Sequence, residues 1–259
     1  MSGSLWSPAQ YDKFKDERSQ PFYDLAGMVE RSTGARVLDL GCGTGALTAW
    51  LHEALGASQT VGTDNSGSML AKSRAFERPG LRFVLEDIEQ SLDRGERYDV
   101  VFSNAALQWV GGHEALWPRL AALVEEGGQL VVQMPANHDH ASHTLAREVA
   151  LEEPFRSALT GAPRVSPVLP VEAYAVMLRK LGFARQRVEL RVYLHALGSA
   201  DEVVEWTRGT MLTAYEAILP PALFGAFLEA YRARVVAALG DERPHLYPFK
   251  RVLMWASRA

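Results

Sequence analysis

The 259-residue sequence predicts an α/β fold built on a doubly wound, mostly parallel sheet. Three observations carry this. Strand-length apolar runs alternate with helical patterns from residue 35 to 135, which implies right-handed crossovers between parallel neighbours. A turn with glycine at every second position joins the first strand to the first helix of that series. Hydrophobic residues make up 47% of the chain, enough to bury a core of this size.

The elements follow in order. ARVLDL (35–40) reads as a buried strand, and GALTAWLHEALG (45–56) as a helix closed by Gly56. QTVGTD (59–64) is the second strand. SGSMLAKSRAF (66–76) is a helix with Ser66 as N-cap. LRFVLED (81–87) and YDVVFSN (98–104) are the third and fourth strands, HEALWPRLAALVEEGG (113–128) a helix with a glycine stop, and QLVVQMP (129–135) the fifth strand. Beyond 136 the pattern gives helices over 142–153 and 171–183, separated by a Pro-rich loop, then a strand over 184–197. Two more helices, 199–212 and 221–240, precede a closing strand over 246–258, the second of them opened by proline and stopped by glycine. Two helices between the last two strands exceed a simple crossover. They are expected to form a lid with an N-terminal helix over about 8–30. The expected division is a helical lid segment over 1–34, a core over 35–198, a helical lid insertion over 199–245 and a final core strand over 246–259.

Composition narrows the partners. Net charge is −4 with no basic tract, which argues against nucleic acid. An anionic small substrate would be held by a few local Arg or Lys side chains. No run of about eighteen apolar residues spans a membrane. MSGSLWSPAQYDKF lacks the features of a secretory leader, so a cytoplasmic protein is expected. The lone Cys42 forms no internal disulfide and is read as a small apolar filler.

The loop GCGTG decides what is bound. Ligands of open α/β sheets sit beyond the carboxyl ends of the strands, where strand order reverses. Gly41, Gly43 and Gly45 can take backbone angles closed to other residues and present no Cβ to a ligand. Gly41, Gly43 and Ala46 satisfy the dinucleotide fingerprint, with Asp64 placed to bind ribose hydroxyls. Any adenosine cofactor carries a ribose, so Asp64 does not discriminate. Asp39, two residues before Gly41, does: its carboxylate would repel a pyrophosphate but accept a sulfonium bearing an amino group. At the end of the third strand Asp87 can accept from an adenine amine while Ile88 packs on the ring. Hydride-transfer machinery is missing too, since the one Tyr-x-x-x-Lys, Tyr11 to Lys15, precedes the loop.

VLDLGCGTG, VGTDNSGSML, EDI and FSNAALQWV, in this order, resemble the class I S-adenosylmethionine-dependent methyltransferases. The resemblance implies a Rossmann-like sheet of seven strands with the last antiparallel, and S-adenosyl-L-methionine as cofactor, with S-adenosyl-L-homocysteine as product. Carried over by residue, Asp39, Gly41, Gly43 and Gly45 face the methionine moiety and Asp64 the ribose. Asn65 and Met69 flank ribose and adenine, Asp87 and Ile88 bind adenine, and Asn104 and Ala105 close the site beside the methyl.

A narrower resemblance concerns the acceptor. WSPAQYDKFKDERSQP, NAALQWVGGHEALWPRL, LVVQMPAN and HTLAREVA are similar to the trans-aconitate methyltransferases, which esterify a carboxylate of a small tricarboxylic acid. It implies a small-molecule carboxylic acid as substrate, and a monomer or homodimer is expected. A carboxylate is already ionised at neutral pH, so no general base is needed. Positioning is expected from Trp109, whose indole N–H can donate to a carboxylate, from Arg18, which can grip one bidentately, and from Gln108. Arg147, His195, Arg208 and Tyr215 are further substrate candidates. Where that family carries an arginine in the lid, GTMLTAY places Thr213, which points to a less anionic acid with an apolar tail facing Met211, Leu212 and Tyr215. The histidines of NHDHASH (137–143) lack acidic or cysteine partners at metal-ligand spacing, so no metal is expected. The alternatives are methylation of an amine, hydroxyl or carbon acceptor, a non-catalytic cofactor-binding protein, and a nicotinamide dehydrogenase.

Overall fold

The computed structural model describes residues 15–30, 33–160 and 166–259, with side chains from Ser19 onward. Seven strands form one sheet in the order β3-β2-β1-β4-β5-β7-β6. They are β1 (Arg36–Leu40), β2 (Gln59–Asp64), β3 (Leu81–Leu85), β4 (Tyr98–Asn104), β5 (Val124–Pro135), β6 (Arg185–Leu197) and β7 (His245–Ser257). Strands β1 to β5 pair in parallel, and β7 runs antiparallel to β5. The chain steps outward from β1 to β3, then resumes with β4 on the other side of β1. The reversal of order therefore falls between β1 and β4, beside the glycine loop.

The described helices are α1 (Lys15–Ala26), α2 (Ala46–Leu55), α3 (Gly67–Ser73), α4 (Ile88–Leu92), α5 (His113–Ala122) and α6 (Ala141–Ala150), followed by α7 (Phe155–Ala158), α8 (Val171–Lys180), α9 (Ala200–Arg208), α10 (Thr213–Glu216) and α11 (Pro221–Leu239). The predicted helix over 113–128 needs correction. It stops at Ala122, because the Leu123 carbonyl accepts from Tyr98 N–H at 2.8 Å and Val124 enters the sheet fully buried. Register then jumps from Tyr98↔Val124 to Val100↔Gln129, so 125–128 bulge out of the ladder with Gly127 at φ 72°. Three helices lie between β6 and β7 where the pattern gave two; the third, α10, is one turn long. The N-terminal helix ends at Ala26, and its expected beginning over 8–14 lies outside the described residues.

The chain forms two compact units. One comprises Ser19–Pro135, Pro167–Arg191 and Arg251–Ala259. Its central strands are buried on both faces, as parallel strands flanked by helices must be: Val37, Leu38, Leu40, Val101, Phe102 and Val131 are all fully buried. The other holds 136–166 and 192–250, segments that the sequence-based division splits between core and lid. Its own core packs Val149, Val203, Trp206, Phe227, Tyr231 and Tyr247. Tyr231 ties it together, donating to the Ser142 carbonyl at 2.8 Å and sharing a 2.9 Å hydrogen bond with Thr207 Oγ1.

Candidate cofactor and acceptor site

The carboxyl ends of β1 and β2 hold the glycine loop from below. Gly41 and Cys42 both donate their backbone N–H to the Thr63 carbonyl, at 2.8 and 2.9 Å. Gly41, Gly43 and Gly45 take φ values of 78°, 57° and 77°, the left-handed region that favours glycine. The loop is also sterically closed on its protein side. A Cβ on Gly41 would overlap the Cβ of Ala106, and one on Gly45 would lie 2.6 Å from Ser73 Cβ and 2.8 Å from the Phe83 ring. At Gly43 the one atom within 4 Å would be Met69 Cε at 3.7 Å, so this residue alone of the three presents an open face.

Two carboxylates flank the loop. Asp39 is 3% exposed and accepts from Thr48 Oγ1 at 2.6 Å. Burial pushes its pKa up to about 7; the Thr48 hydrogen bond pulls the other way, and the Asp64 charge adds to the rise. Asp64 accepts from Gly43 N–H with Oδ2 and from Ser66 N–H with Oδ1, both at 2.9 Å. Burial raises its pKa as well, opposed by those two backbone bonds. A carboxylate has about four lone-pair directions, so each Asp64 oxygen keeps capacity for a ribose hydroxyl. The pair makes a cradle short of positive charge, which suits a cation and repels a diphosphate.

At the end of β3 Asp87 caps α4. Its Oδ1 accepts from Gln90 N–H at 2.8 Å, and Gln90 Oε1 accepts from Asp87 N–H at 3.0 Å. One carboxylate oxygen therefore serves the helix, and the other takes no part in the cap. Asn65 is exposed directly after Asp64, and Met69 and Ile88 are half-buried.

The end of β4 carries a second polar group of residues. Ala105 takes φ 54°, unusual for a residue with a Cβ, and donates its N–H to the Gln133 carbonyl at 2.9 Å. Gln108 donates Nε2 to the Ala105 carbonyl at 2.7 Å. Trp109 follows at the end of the 3-10 turn Leu107–Trp109 with 43% of its surface exposed.

The remaining candidates belong to the other compact unit. Arg18 lies outside the described side chains. Arg147 donates to the His138 carbonyl at 3.0 Å, and Arg208 is half-buried at the end of α9. His195 is buried, its ring 4.8 Å from that of Trp206, and Tyr215 is buried with its ring 4.9 Å from Phe227. Leu212 is fully buried and Met211 packs on the same core. Thr213 is buried and gives its hydroxyl to the Thr210 carbonyl at 2.5 Å. Two of the three histidines of 137–143 are engaged through Ser142, His140 Nδ1 accepting its N–H and His143 Nδ1 lying 3.0 Å from its Oγ, while His138 Nδ1 is buried without a hydrogen-bond partner.

Sequence reasoning missed Thr48, whose role depends on α2 folding back over β1. It also passed over Gln133, although a lone polar residue in the apolar run LVVQMP is itself a signal.

The chain is similar to known methyltransferases. Residues 37–128 match a family model described as a methyltransferase domain. The chain is 42% identical to a trans-aconitate 2-methyltransferase of Deinococcus radiodurans and 38% identical to one of Variovorax paradoxus, covering 98% of both chains in each case. Among solved structures, the YcgJ protein of Bacillus subtilis superposes with a TM-score of 0.59 at 13% identity, over 92% of this chain and 98% of that one. Phosphoethanolamine N-methyltransferase 2 of Haemonchus contortus, in complex with S-adenosyl-L-methionine, gives 0.54 at 18% identity over 93% and 52%. At these identities the two structures attest the fold alone.

Proposed function

The chain belongs to the trans-aconitate 2-methyltransferase family, and from that premise we propose that it forms a methyl ester on a carboxylate of a small organic acid. The observation that carries this reading is the acidic cradle of Asp39 and Asp64 around the glycine loop, in a chain alike to its relatives over nearly full length. The cofactor, S-adenosyl-L-methionine, supplies when bound an electrophilic methyl on a positive sulfur.

The residues present fit that group. Asp39, fixed by Thr48, offers a carboxylate to the ammonium of the methionine part, and the open face at Gly43 admits the ligand against backbone. Asp64 uses its remaining lone pairs on ribose hydroxyls, and Asp87 its second oxygen on the adenine amine. The acceptor carboxylate is an anion at neutral pH, so the protein has no proton to remove. Its task is to bring oxygen and methyl into line and to exclude water, which supplies a large effective molarity. Trp109 and Gln108 are the residues assigned to that positioning, next to Asn104 and Ala105 in the chain, and Arg18 keeps the role that the sequence gives it.

Thr213 narrows the acid. Its short, neutral side chain is buried and committed to Thr210, so it contributes no cation where the family pattern has arginine. A carboxylate that loses its cation partner is costly to bury. The substrate inferred is therefore an acid with fewer carboxylates than trans-aconitate. Labelled-methyl transfer to a panel of carboxylic acids, read as a 14-dalton gain by mass spectrometry, tests both statements. Transfer to a mono- or dicarboxylic acid is expected. Turnover of trans-aconitate well above every such acid would overturn the narrower statement, and silence across the panel the broader one.

A further inference from the structure

Resting on that reading, we propose that Gln133 is an acceptor-binding residue, whose buried amide receives a second, non-reacting carboxylate of the acid and so selects a dicarboxylate. Gln133 is fully buried, yet neither Nε2 nor Oε1 has a hydrogen-bond partner. Buried polar groups are almost always partnered, and an exception points to a water or ligand that completes them. The exception here is not isolated. Asn104 Oδ1 and Gln108 Oε1 are buried and unpartnered as well, giving four such atoms at the ends of β4 and β5.

Register fixes where this group faces. Asp39 pairs with Phe102, and Asn104 with Gln133. Phe102 and Asn104 are two residues apart, so Asp39, Asn104 and Gln133 project from one face of the sheet. Strand order puts Gln133 one strand beyond β4, on the side away from Asp64 and the β3 end where Asp87 stands. With neighbouring strands about 4.8 Å apart, β5 lies roughly 14 Å from β2, out of reach of a group on the ribose. What meets Gln133 belongs to the acceptor side. The Ala105 N–H bonds the Gln133 carbonyl with the Ala105 backbone at φ 54°, so the loop after β4 starts beside this strand. The amide carries both a donor and an acceptor, and its Nε2–H is the group that would donate to a carboxylate oxygen.

The acids trans-aconitate, glutaconate and crotonate differ by successive removal of a carboxylate and serve as probes. The purified parent enzyme is expected to prefer glutaconate to crotonate in kcat/KM. Gln133→Met, close in shape, is expected to raise the KM for glutaconate about ten- to a hundredfold and to erase that preference, because a hydrogen bond to a charged group is lost. The Kd for S-adenosylhomocysteine should stay within twofold. The Tm should hold or rise, since replacing an unpartnered buried amide by an apolar group relieves a desolvation cost. Gln133→Leu is the second variant and should behave alike. An unchanged KM in a folded variant would mean that a buried water satisfies the amide, and would overturn the proposal. A weakened S-adenosylhomocysteine Kd would assign Gln133 to the cofactor, and a lowered Tm in both variants would make it structural; either overturns the proposal. A parent enzyme that methylates crotonate as well as glutaconate overturns it while leaving ester formation standing. Silence on all three acids and on the wider panel fails the proposed function, and this inference with it.

Discussion

Thr48 Oγ1 donates to Asp39 Oδ2 across 2.6 Å, inside a site where Asp39 is 3% exposed. That one bond is the counterweight to a burial cost that moves the carboxyl to about 7. Asp39 thus titrates near neutrality in the unliganded protein, and its ionised form is the one that binds a cation.

Affinity for S-adenosylhomocysteine is therefore expected to rise with pH and level off above about 7, weakening by up to tenfold per pH unit below it. Thr48→Val should move the midpoint upward, and Asp39→Asn should flatten the profile. Calorimetry from pH 5.5 to 8.5 checks this. For stability the sign is reversed: the native state holds the Asp39 proton more tightly than the unfolded chain, so this group's contribution is lost as pH rises from 3.8 through about 7. A flat binding profile in the parent would remove Asp39 from the cofactor site.

Gly41→Ala combines a left-handed φ of 78° with overlap of the Ala106 Cβ. The expected cost is about 3 kcal/mol, or a Tm lower by roughly 6–12 °C. Gly67→Ala is the control: it meets open space at the first residue of α3 without a positive φ, and should gain about 0.5 kcal/mol. Equal melting temperatures for the two variants would contradict the steric account.

Asp87→Ala removes both the cap of α4 and the free oxygen assigned to adenine. It should cost about 1 kcal/mol of stability and weaken cofactor binding. Asp87→Asn keeps a capping side chain, so its Tm should match the parent while cofactor affinity still falls. If both variants bind S-adenosylhomocysteine as the parent does, Asp87 serves the helix alone.

His143 is pushed down to about 3, by burial first and then by His140, His138 and Arg147, with Asp139 opposing. A neutral His143 gives stability that is present above its ordinary value of 6.5 and is lost as pH falls below it. The advantage of the parent over His143→Gln should therefore shrink by about 1.4 kcal/mol per pH unit below 6.5. Denaturant unfolding at pH 5, 6 and 8 measures it; a constant difference would show that His143 is solvated or already charged.

Most of the secondary structure was legible because it is written in local periodicity. The runs around Val37 and Val100 and the proline and glycine that bound α11 needed no distant partner to be read. The 113–128 segment misled because its helical spacing continues through residues that the sheet claims: Val124 gains more from burial beside Tyr98 than from another helical turn. In the site, the glycines and acidic residues of the loop announced themselves by type and spacing. Thr48 and Gln133 did not, since neither forms a motif.

By itself the sequence determined the alternation of strands and helices, the backbone freedom of Gly41, Gly43 and Gly45, and the negative sign of the charge beside them. Each of these follows from residue type and near-neighbour spacing. Only the tertiary structure decided that Asp39 is held by Thr48, that one Asp87 oxygen belongs to a helix, and that the amide of Gln133 is buried without a partner. Whether a polar atom is satisfied depends on groups brought together from distant parts of the chain, and register and burial set that once the sheet has formed.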